Sequence, residues 1–274
     1  MSFRTYHEVE GADRSGLGQQ VGEQRRRVQE RLRQVRQIVA VTSGKGGVGK
    51  SYVTAALARG SAGTFGAIGV LDADLKSPTT ARMLGASGPL RIDSDGVHPV
   101  QGAHGIKVFS MGLLLREGQP LQWKEPDGER FVWRGVLETG ALREFLADVA
   151  WGALDLLLID LPPGPDRLED LAELVPGLTG AVVVTLPSEE SFRSVERSMK
   201  SARERGIPLL GVVENMSGYT CADCGKTGPL FPGSAGADLA VRFGVPLLGH
   251  VPFMPVGVSN LHTALSEAFH RVLP

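Results

Sequence analysis

A glycine-rich stretch near residue 45 has the residue types needed to bind a phosphate group. The pattern G-x-x-x-x-G-K-[ST] is matched in full by Gly44-Lys45-Gly46-Gly47-Val48-Gly49-Lys50-Ser51. Glycines let the backbone turn so that successive N–H groups point at phosphate oxygens. The lysine can contact the β- and γ-phosphates of a nucleotide, and the serine hydroxyl can bind Mg²⁺. A glycine-rich turn without a ligand is the alternative interpretation.

The segments on either side of this stretch favour the nucleotide interpretation. A β-type run at residues 38–42 precedes it, and a helix-like run at residues 52–59 follows it. The motif binds phosphate in the context of a strand, a loop and a helix, and the helix N-terminus adds a partial positive charge. The candidate nucleotide-binding residues are those of the motif together with Tyr52, which follows it.

Acidic residues follow two further strand-like runs. Asp72-Ala73-Asp74 ends the run at residues 67–71, and Asp160 ends the continuous apolar run at residues 155–160. Such an apolar run is typical of a buried parallel strand. Carboxylates at the ends of strands beside a phosphate loop can hold Mg²⁺ through water or position the attacking water. These carboxylates are therefore candidates for a metal and catalytic site.

The order of the remaining segments predicts the fold class. Strand-like runs at residues 106–111, 181–185, 209–213 and 247–251 alternate with helical patterns at residues 134–149, 189–205, 237–243 and 259–272. Alternation of this kind predicts an α/β fold with three layers, in which helices flank both faces of a mostly parallel sheet. Residues 86–105 suggest a hairpin or an irregular excursion, and residues 118–128 an exposed loop. Ligands bind at the carboxyl ends of the strands in such sheets, where all these polar motifs fall.

The chain divides by composition into an N-terminal extension, residues 1–37, and a phosphate-loop domain, residues 38–274. Residues 19–37 contain six arginines among apolar residues at helical spacing. This pattern predicts a basic amphipathic helix docked on the domain. Contact with a membrane surface or with nucleic acid is the alternative interpretation.

Length and charge exclude several classes of protein. The 274 residues carry a formal net charge of −1, which does not favour a stable complex with nucleic acid. No run of 18 apolar residues is present, so no membrane span is expected. The N-terminus lacks the apolar core of a signal peptide, and we therefore expect a cytoplasmic protein.

The chain has two cysteines, Cys221 and Cys224, in a C-x-x-C arrangement. Zinc and iron–sulfur sites commonly use four protein ligands, and a symmetric dimer would supply four thiolates if its axis passed near this loop. A metal or cluster shared between two subunits, a redox dithiol and an inert pair of thiols are all compatible with the spacing.

Taken together, these motifs resemble the Mrp/ApbC group of iron–sulfur cluster carrier ATPases, which belong to the deviant Walker-A class with MinD, ParA and the nitrogenase iron protein. The resemblance covers residues 38–255. It is carried by the segments SGKGGVGKS, LDADLKSPTTARMLG, WRGVLETGALREFL, LLLIDLPPG, VVENMSGYTCADCG and LAVRFGVPLLGHVPFMP. The ENMS segment followed by C-x-x-C-G favours the cluster carriers over the partition ATPases.

The resemblance implies roles for individual residues at the nucleotide. Lys45 is similar to the signature lysine, which reaches the phosphates across a dimer interface. Asp74 is similar to the switch I carboxylate that orients the attacking water. Asp160 resembles the switch II carboxylate that acts on Mg²⁺ through water, and Asn215 matches the position that reads adenine. The implied catalytic residues are Lys45, Lys50, Asp74 and Asp160, and the implied Mg²⁺ residues are Ser51, Asp74 and Asp160.

The resemblance also implies a cargo and partners. Cys221 and Cys224 match the pair that holds a bridging 4Fe–4S cluster in a homodimer, with ATP and Mg²⁺ as the other cofactors and apo iron–sulfur proteins as recipients. The chain departs from the group in several places: Tyr52 follows Ser51 where threonine is usual, PPGPD is one residue shorter than PPGTGD, and Lys76-Ser77 stand where the group often has an aromatic residue and a glycine. A slow ATPase is therefore expected. A MinD- or ParA-like positioning switch on membrane or DNA and a scaffold with negligible turnover are the alternatives.

Overall fold

The structure, a computed structural model, describes residues 17–114, 140–254 and 261–274. The loop predicted at residues 118–128 lies outside the described residues, as does the first part of the helix predicted at residues 134–149. The description that follows is of the three described ranges.

The described residues contain eleven strands, and seven of them coincide with strand-like runs predicted from the sequence. The eleven strands are β1 (Val35–Ser43), β2 (Ile68–Asp72), β3 (Arg91–Asp93), β4 (Gly96–His98), β5 (Val100–Gln101), β6 (Lys107–Ser110), β7 (Leu154–Asp160), β8 (Gly180–Thr185), β9 (Leu209–Thr220), β10 (Thr227–Pro229) and β11 (Leu247–Phe253). The main sheet has the order β10-β9-β8-β1-β7-β2-β6-β5, and β11 also pairs with β9, outside this order. The hairpin β3–β4 confirms the excursion predicted within residues 86–105.

Helices connect the strands. They are α1 (Leu17–Leu32), α2 (Lys50–Ser61), α3 (Thr80–Met83), α4 (residues 140–148 of the described chain), α5 (Arg167–Leu174), α6 (Glu189–Glu204), α7 (Ala235–Phe243) and α8 (Leu261–His270). Among the residues described, none of the helices combines the length and the apolar character needed to cross a bilayer.

The two faces of the sheet are covered by different helices. Alternate residues of a strand point to opposite faces, and Val39 of β1 packs in a cluster with side chains of α2, α3 and α8. Its neighbour Ala40 packs in a second cluster with side chains of α1, α4 and α5. Strands β8, β1, β7, β2 and β6 pair in parallel. The predicted three-layer α/β fold with a mostly parallel sheet is therefore confirmed.

The basic helix predicted at residues 19–37 is docked on the domain but is shorter than predicted. Its apolar residues Val28 and Leu32 are buried, and Arg27 forms an ion pair with Asp148 of α4. The helix ends at Leu32, because the chain from Val35 onward pairs with β7 as the beginning of β1. The helical spacing continued across this boundary, so the sequence pattern placed the end of the helix too late.

Strand β9 is longer than predicted. The pattern placed the end of this strand at residue 213, whereas β9 continues to Thr220. The additional residues pair with β11 and, in an antiparallel hairpin, with β10. The cysteine motif therefore lies in the turn of the β9–β10 hairpin.

Candidate nucleotide site and cysteine hairpin

The glycine-rich stretch forms a tight loop between β1 and the N-terminus of α2, as its sequence predicts. Gly47 and Gly49 both have a φ of 79°, in the left-handed region that glycine adopts at low cost. A Cβ atom at Gly49 would overlap the side-chain amide of Asn215, whereas a Cβ at Gly47 would meet no atom within 4 Å. Gly49 is therefore required for two reasons, its backbone conformation and the close approach of Asn215.

The beginning of the loop is fixed against α6. A Cβ atom at Gly44 would lie 2.6 Å from the carbonyl carbon of Ser194, so a glycine is needed for this approach. The Ser194 hydroxyl donates to the Gly44 carbonyl at 2.7 Å, and the Ser43 hydroxyl donates to the Lys45 carbonyl at 3.0 Å. Lys45 itself is half-buried at the site, and Ser51 lies in the first turn of α2.

Two buried carboxylates meet at the carboxyl ends of the central strands. In the parallel pairing of β2 with β7, Asp72 lies opposite Asp160, and in the pairing of β2 with β6 it lies opposite Ser110. All three side chains are fully buried. The register of three neighbouring strands thus places a row of oxygen atoms directly beside the glycine-rich loop.

Asp160 accepts donors on both of its oxygen atoms. Lys50 Nζ lies 2.6 Å from Oδ1 and is buried with it. The Thr54 hydroxyl, one turn along α2, lies 3.0 Å from the same oxygen, and the Thr80 hydroxyl donates to Oδ2 at 3.0 Å. The structure therefore brings together two of the predicted catalytic residues and adds two threonines that the sequence reasoning missed.

The sequence identifies Asp72 only as part of an acidic segment, but in the structure its side chain is more deeply buried than that of Asp74. Its Oδ2 accepts from the Thr80 N–H and the Ser110 hydroxyl, each at 3.0 Å, and its Oδ1 accepts from the Asp74 N–H at 3.2 Å. Burial, and then the nearby charge of Asp160, raises the pKa of Asp72 to about 7. The position of Asp72 as the last residue of an apolar run is the signal that could have identified it.

Asp74 lies apart from this buried row. It is half-buried, and its Oδ1 accepts from the backbone N–H groups of Lys76 and Ser77 at 3.3 and 3.2 Å. Together with Pro163 it lines a cavity of about 150 Å³ between the loop after β2 and the loop after β7. A Cβ atom at Gly46 would lie 3.8 Å from Pro163 Cγ, so this cavity adjoins the glycine-rich loop. The structure thus places Asp74 on the open side of the same site.

Asn215 contacts the glycine-rich loop directly. Its side-chain Nδ2 donates to the Val48 carbonyl at 2.8 Å, and the residue is buried. The next residue, Met216, has a φ of 53°, which is uncommon for a residue with a side chain. The neighbouring Glu214 was also missed by sequence reasoning: it is buried and accepts from the Gly236 N–H at 2.6 Å, which ties β9 to the N-terminus of α7.

Cys221 and Cys224 lie in the turn between β9 and β10. The Gly225 N–H donates to the Cys221 carbonyl at 3.0 Å, and both thiols are free, with Cys224 exposed and Cys221 half-buried. Hydrogen bonds from the backbone N–H groups of Cys224 and Asp223 lower the pKa of the Cys221 thiol. Within the three described ranges, no group of three or more His, Cys, Asp or Glu side chains is arranged to hold a metal ion.

Comparison with known proteins agrees with this geometry. A sequence model of the family described as "NUBPL iron-transfer P-loop NTPase" matches residues 34–266. The chain belongs to this family. It is 42% identical over 242 residues to a protein of Saccharolobus solfataricus named iron-sulfur cluster carrier protein, an alignment that covers 87% of this chain and 78% of the relative. It is 40% identical over 235 residues to the human cytosolic Fe-S cluster assembly factor NUBP2, with 83% of each chain covered.

Solved structures share the fold of this chain. The nucleotide-binding protein of Archaeoglobus fulgidus, solved in complex with ADP, superimposes on this chain with a TM-score of 0.70. The two are 32% identical in sequence, and the superposition covers 91% of this chain and 97% of the other. The cell division ATPase MinD of Pyrococcus furiosus gives a TM-score of 0.57 at 19% identity, over 87% of this chain and 100% of that one. The likeness to MinD shows a shared fold alone.

Proposed function

We propose that this protein is an ATP-hydrolysing carrier of iron–sulfur clusters. Two copies would hold a 4Fe–4S cluster between their cysteine hairpins and pass it to apo-proteins. The names of the relatives support this assignment. The observation that carries it is the course of β9, a single strand that contacts the glycine-rich loop through Asn215 and reaches the cysteine hairpin at its end.

The glycine-rich loop would bind the phosphates of ATP. Its residues from Gly44 to Tyr52 surround the N-terminus of α2, whose partial positive charge suits an anion. Lys50 would leave Asp160 for the β- and γ-phosphates. Lys45 of a second copy would reach the same phosphates across the dimer, and the Asn215 amide would contact adenine.

The oxygen donors of the site fit Mg²⁺, which prefers hard ligands and retains several waters. The Ser51 hydroxyl would bind the ion directly, and Asp160 would hold one of its waters. When bound, Mg²⁺ would supply positive charge that offsets the charge of the phosphate oxygens. Asp74, on the open side of the site, would orient the attacking water. The short PPGPD turn after Asp160 supports slow hydrolysis, because proline at residue 165 has no backbone N–H to offer a phosphate.

The cysteine hairpin would hold the cluster as cargo. Thiolates are the ligands of iron–sulfur clusters, and a lowered thiol pKa favours the thiolate form of Cys221. One chain supplies two thiols, so a four-cysteine site requires a second copy. The exposure of Cys224 suits a cluster that must be released to a recipient.

The surface beside the hairpin supports contact with that second copy. Large apolar side chains are exposed on and after the strands of the hairpin and on the neighbouring strand, namely Tyr219, Leu230, Phe231 and Phe253. Apolar side chains grouped in this way commonly mark an interface. The relatives named cytosolic assembly factors support action in the cytoplasm on apo iron–sulfur proteins.

Anaerobic reconstitution tests the proposal. The wild-type protein is incubated with ferrous iron and sulfide, desalted, and assayed for iron, sulfide and oligomeric state. We expect about four irons and about four sulfides per two chains, with loss of both in Cys221→Ser and Cys224→Ser. Ala222→Ser, a change in the same turn that leaves both thiols in place, should bind as the wild type does. Equal iron uptake by the cysteine variants would refute the cluster site.

A further inference from the structure

Thr80 joins the two buried carboxylates of the site. It is the first residue of α3 and is fully buried. Its backbone N–H donates to Asp72 Oδ2 at 3.0 Å, and its hydroxyl donates to Asp160 Oδ2 at 3.0 Å. One residue therefore connects the end of β2 with the end of β7 through two separate donors.

The Thr80 N–H also closes the loop that contains Asp74. At the beginning of this loop the Asp74 N–H donates to Asp72 Oδ1 at 3.2 Å, and at its end the Thr80 N–H donates to Asp72 Oδ2. Both ends of the segment between them are thus anchored on one buried carboxylate. The position of Asp74 depends on these anchors, because its own carboxylate accepts from N–H groups within the same loop.

The hydroxyl of Thr80 has a different effect, since it fixes Asp160. Lys50 and Thr54 both lie at Asp160 Oδ1, whereas the Thr80 hydroxyl is at Oδ2. In the proposed ATPase, Lys50 leaves Asp160 for the phosphates. The Thr80 hydroxyl then remains as the donor that links Asp160 to the Asp74 loop.

We propose that Thr80 is a positioning residue that sets the distance between Asp160, which would hold a water of Mg²⁺, and Asp74, which would orient the attacking water. The inference rests on the proposed ATPase function and deepens it. Through this link, the position of Asp160 and the position of Asp74 depend on each other. Loss of the hydroxyl leaves Asp160 Oδ2 without this donor and separates Asp160 from the Asp74 loop. Small displacements of catalytic groups reduce rates steeply.

Three substitutions isolate the hydroxyl. Thr80→Val keeps the shape of the side chain and removes the hydroxyl, while Thr80→Ser keeps the hydroxyl. Thr79→Val is the matched control, because the side chain of Thr79 makes no capping hydrogen bond at α3. Each protein is titrated with Mg²⁺ at a fixed concentration of a fluorescent non-hydrolysable ATP analogue, with a parallel titration of the analogue in EDTA. Initial rates of ATP hydrolysis are then measured at saturating Mg²⁺.

For Thr80→Val we expect the Mg²⁺ concentration at half-saturation to rise about tenfold and kcat to fall about tenfold or more. The affinity for the analogue in EDTA should stay within about twofold of wild type, because the glycine-rich loop is unchanged. Thr80→Ser and Thr79→Val should match wild type in all three measurements. If Thr80→Val does not fold, Thr80→Ala is measured in its place, since it removes the hydroxyl without setting a methyl group against Asp160.

Two results would overturn this inference and leave the proposed function intact. In the first, Thr80→Val shows the same Mg²⁺ dependence and the same kcat as the wild type. In the second, Thr80→Ser is impaired as much as Thr80→Val. A wild-type protein that binds no ATP analogue would overturn the proposed function and this inference with it. If the wild-type protein binds the analogue but hydrolyses ATP too slowly to measure, the Mg²⁺ titration alone tests the role of Thr80.

Discussion

The ammonium of Lys50 and the carboxylate of Asp160 form a buried ion pair, with Nζ 2.6 Å from Oδ1 and side-chain exposures of 7% and 0%. The pair joins the glycine-rich loop to the last residue of β7. Removing one partner of such a pair leaves a buried charge without compensation, whereas removing both is far less costly. The ion pair thus couples the geometry of the glycine-rich loop to the position of Asp160 when no phosphate is bound.

A double-mutant cycle tests this pair. We expect Asp160→Asn and Lys50→Met each to lower the free energy of unfolding by about 3 kcal/mol, because each leaves the other group buried without its partner. The double variant should lose less than either single variant, and much less than their sum, because it leaves no buried charge without a partner. Denaturant unfolding in the presence of EDTA measures all four proteins. Additive losses would show that the two side chains do not interact.

The burial of Asp72 makes stability depend on pH. In the folded state the Asp72 carboxyl group keeps its proton up to about pH 7, whereas in the unfolded chain it releases the proton near pH 3.8. The folded state therefore binds more protons between these values, so its stability decreases as the pH rises toward 7 and levels off above it. Relative to Asp72→Asn, the free energy of unfolding of wild type should fall by about 1 kcal/mol between pH 6 and pH 8.

This pH dependence is measured by urea unfolding without nucleotide or Mg²⁺. The difference between wild type and Asp72→Asn at each pH is the relevant quantity, because it cancels the titration of all other groups. Parallel curves for the two proteins from pH 6 to pH 8 would show that Asp72 does not retain its proton in the folded state.

The two glycines with positive φ in the glycine-rich loop, Gly47 and Gly49, should respond differently to alanine. Gly47→Ala places a Cβ in open space and carries only the cost of the left-handed conformation, about 1 kcal/mol. Gly49→Ala carries that cost and also overlaps the Asn215 amide, which adds about 1–3 kcal/mol. Thermal unfolding without ligand should therefore rank wild type above Gly47→Ala, and Gly47→Ala above Gly49→Ala. Equal destabilisation by the two changes would contradict the close approach of Asn215 to the loop.

Asn215→Ala separates two roles of this amide. The hydrogen bond to the Val48 carbonyl supports the loop, and its loss should lower the free energy of unfolding by about 1–3 kcal/mol, since a buried carbonyl is left without its donor. If the amide also reads adenine, as we propose, the affinity for ATP should fall about tenfold and the affinity for GTP much less. Isothermal titration with both nucleotides provides the measurement. An equal fall for both would assign Asn215 to loop support alone.

Much of this protein is determined by local sequence. The glycine-rich motif needs only its own spacing and the flanking strand and helix, so its conformation and its place at the N-terminus of α2 were predicted. The apolar run that ends at Asp160 likewise identifies a buried central strand without reference to any other segment. Alternation of strand and helix patterns was enough for the α/β fold, because each period is set by local backbone geometry.

Only the tertiary structure decided which side chains meet. Asp72 lies beside Asp160 because of the register between β2 and β7, and Thr80 reaches both through a loop that folds back on Asp72. Register depends on pairing between segments distant in the chain, which no local period encodes. The extension of β9 to Thr220 has the same cause, since β10 and β11 pair with residues that have no clear strand pattern of their own. The sequence determined the chemical groups, and long-range pairing determined which of them share one site.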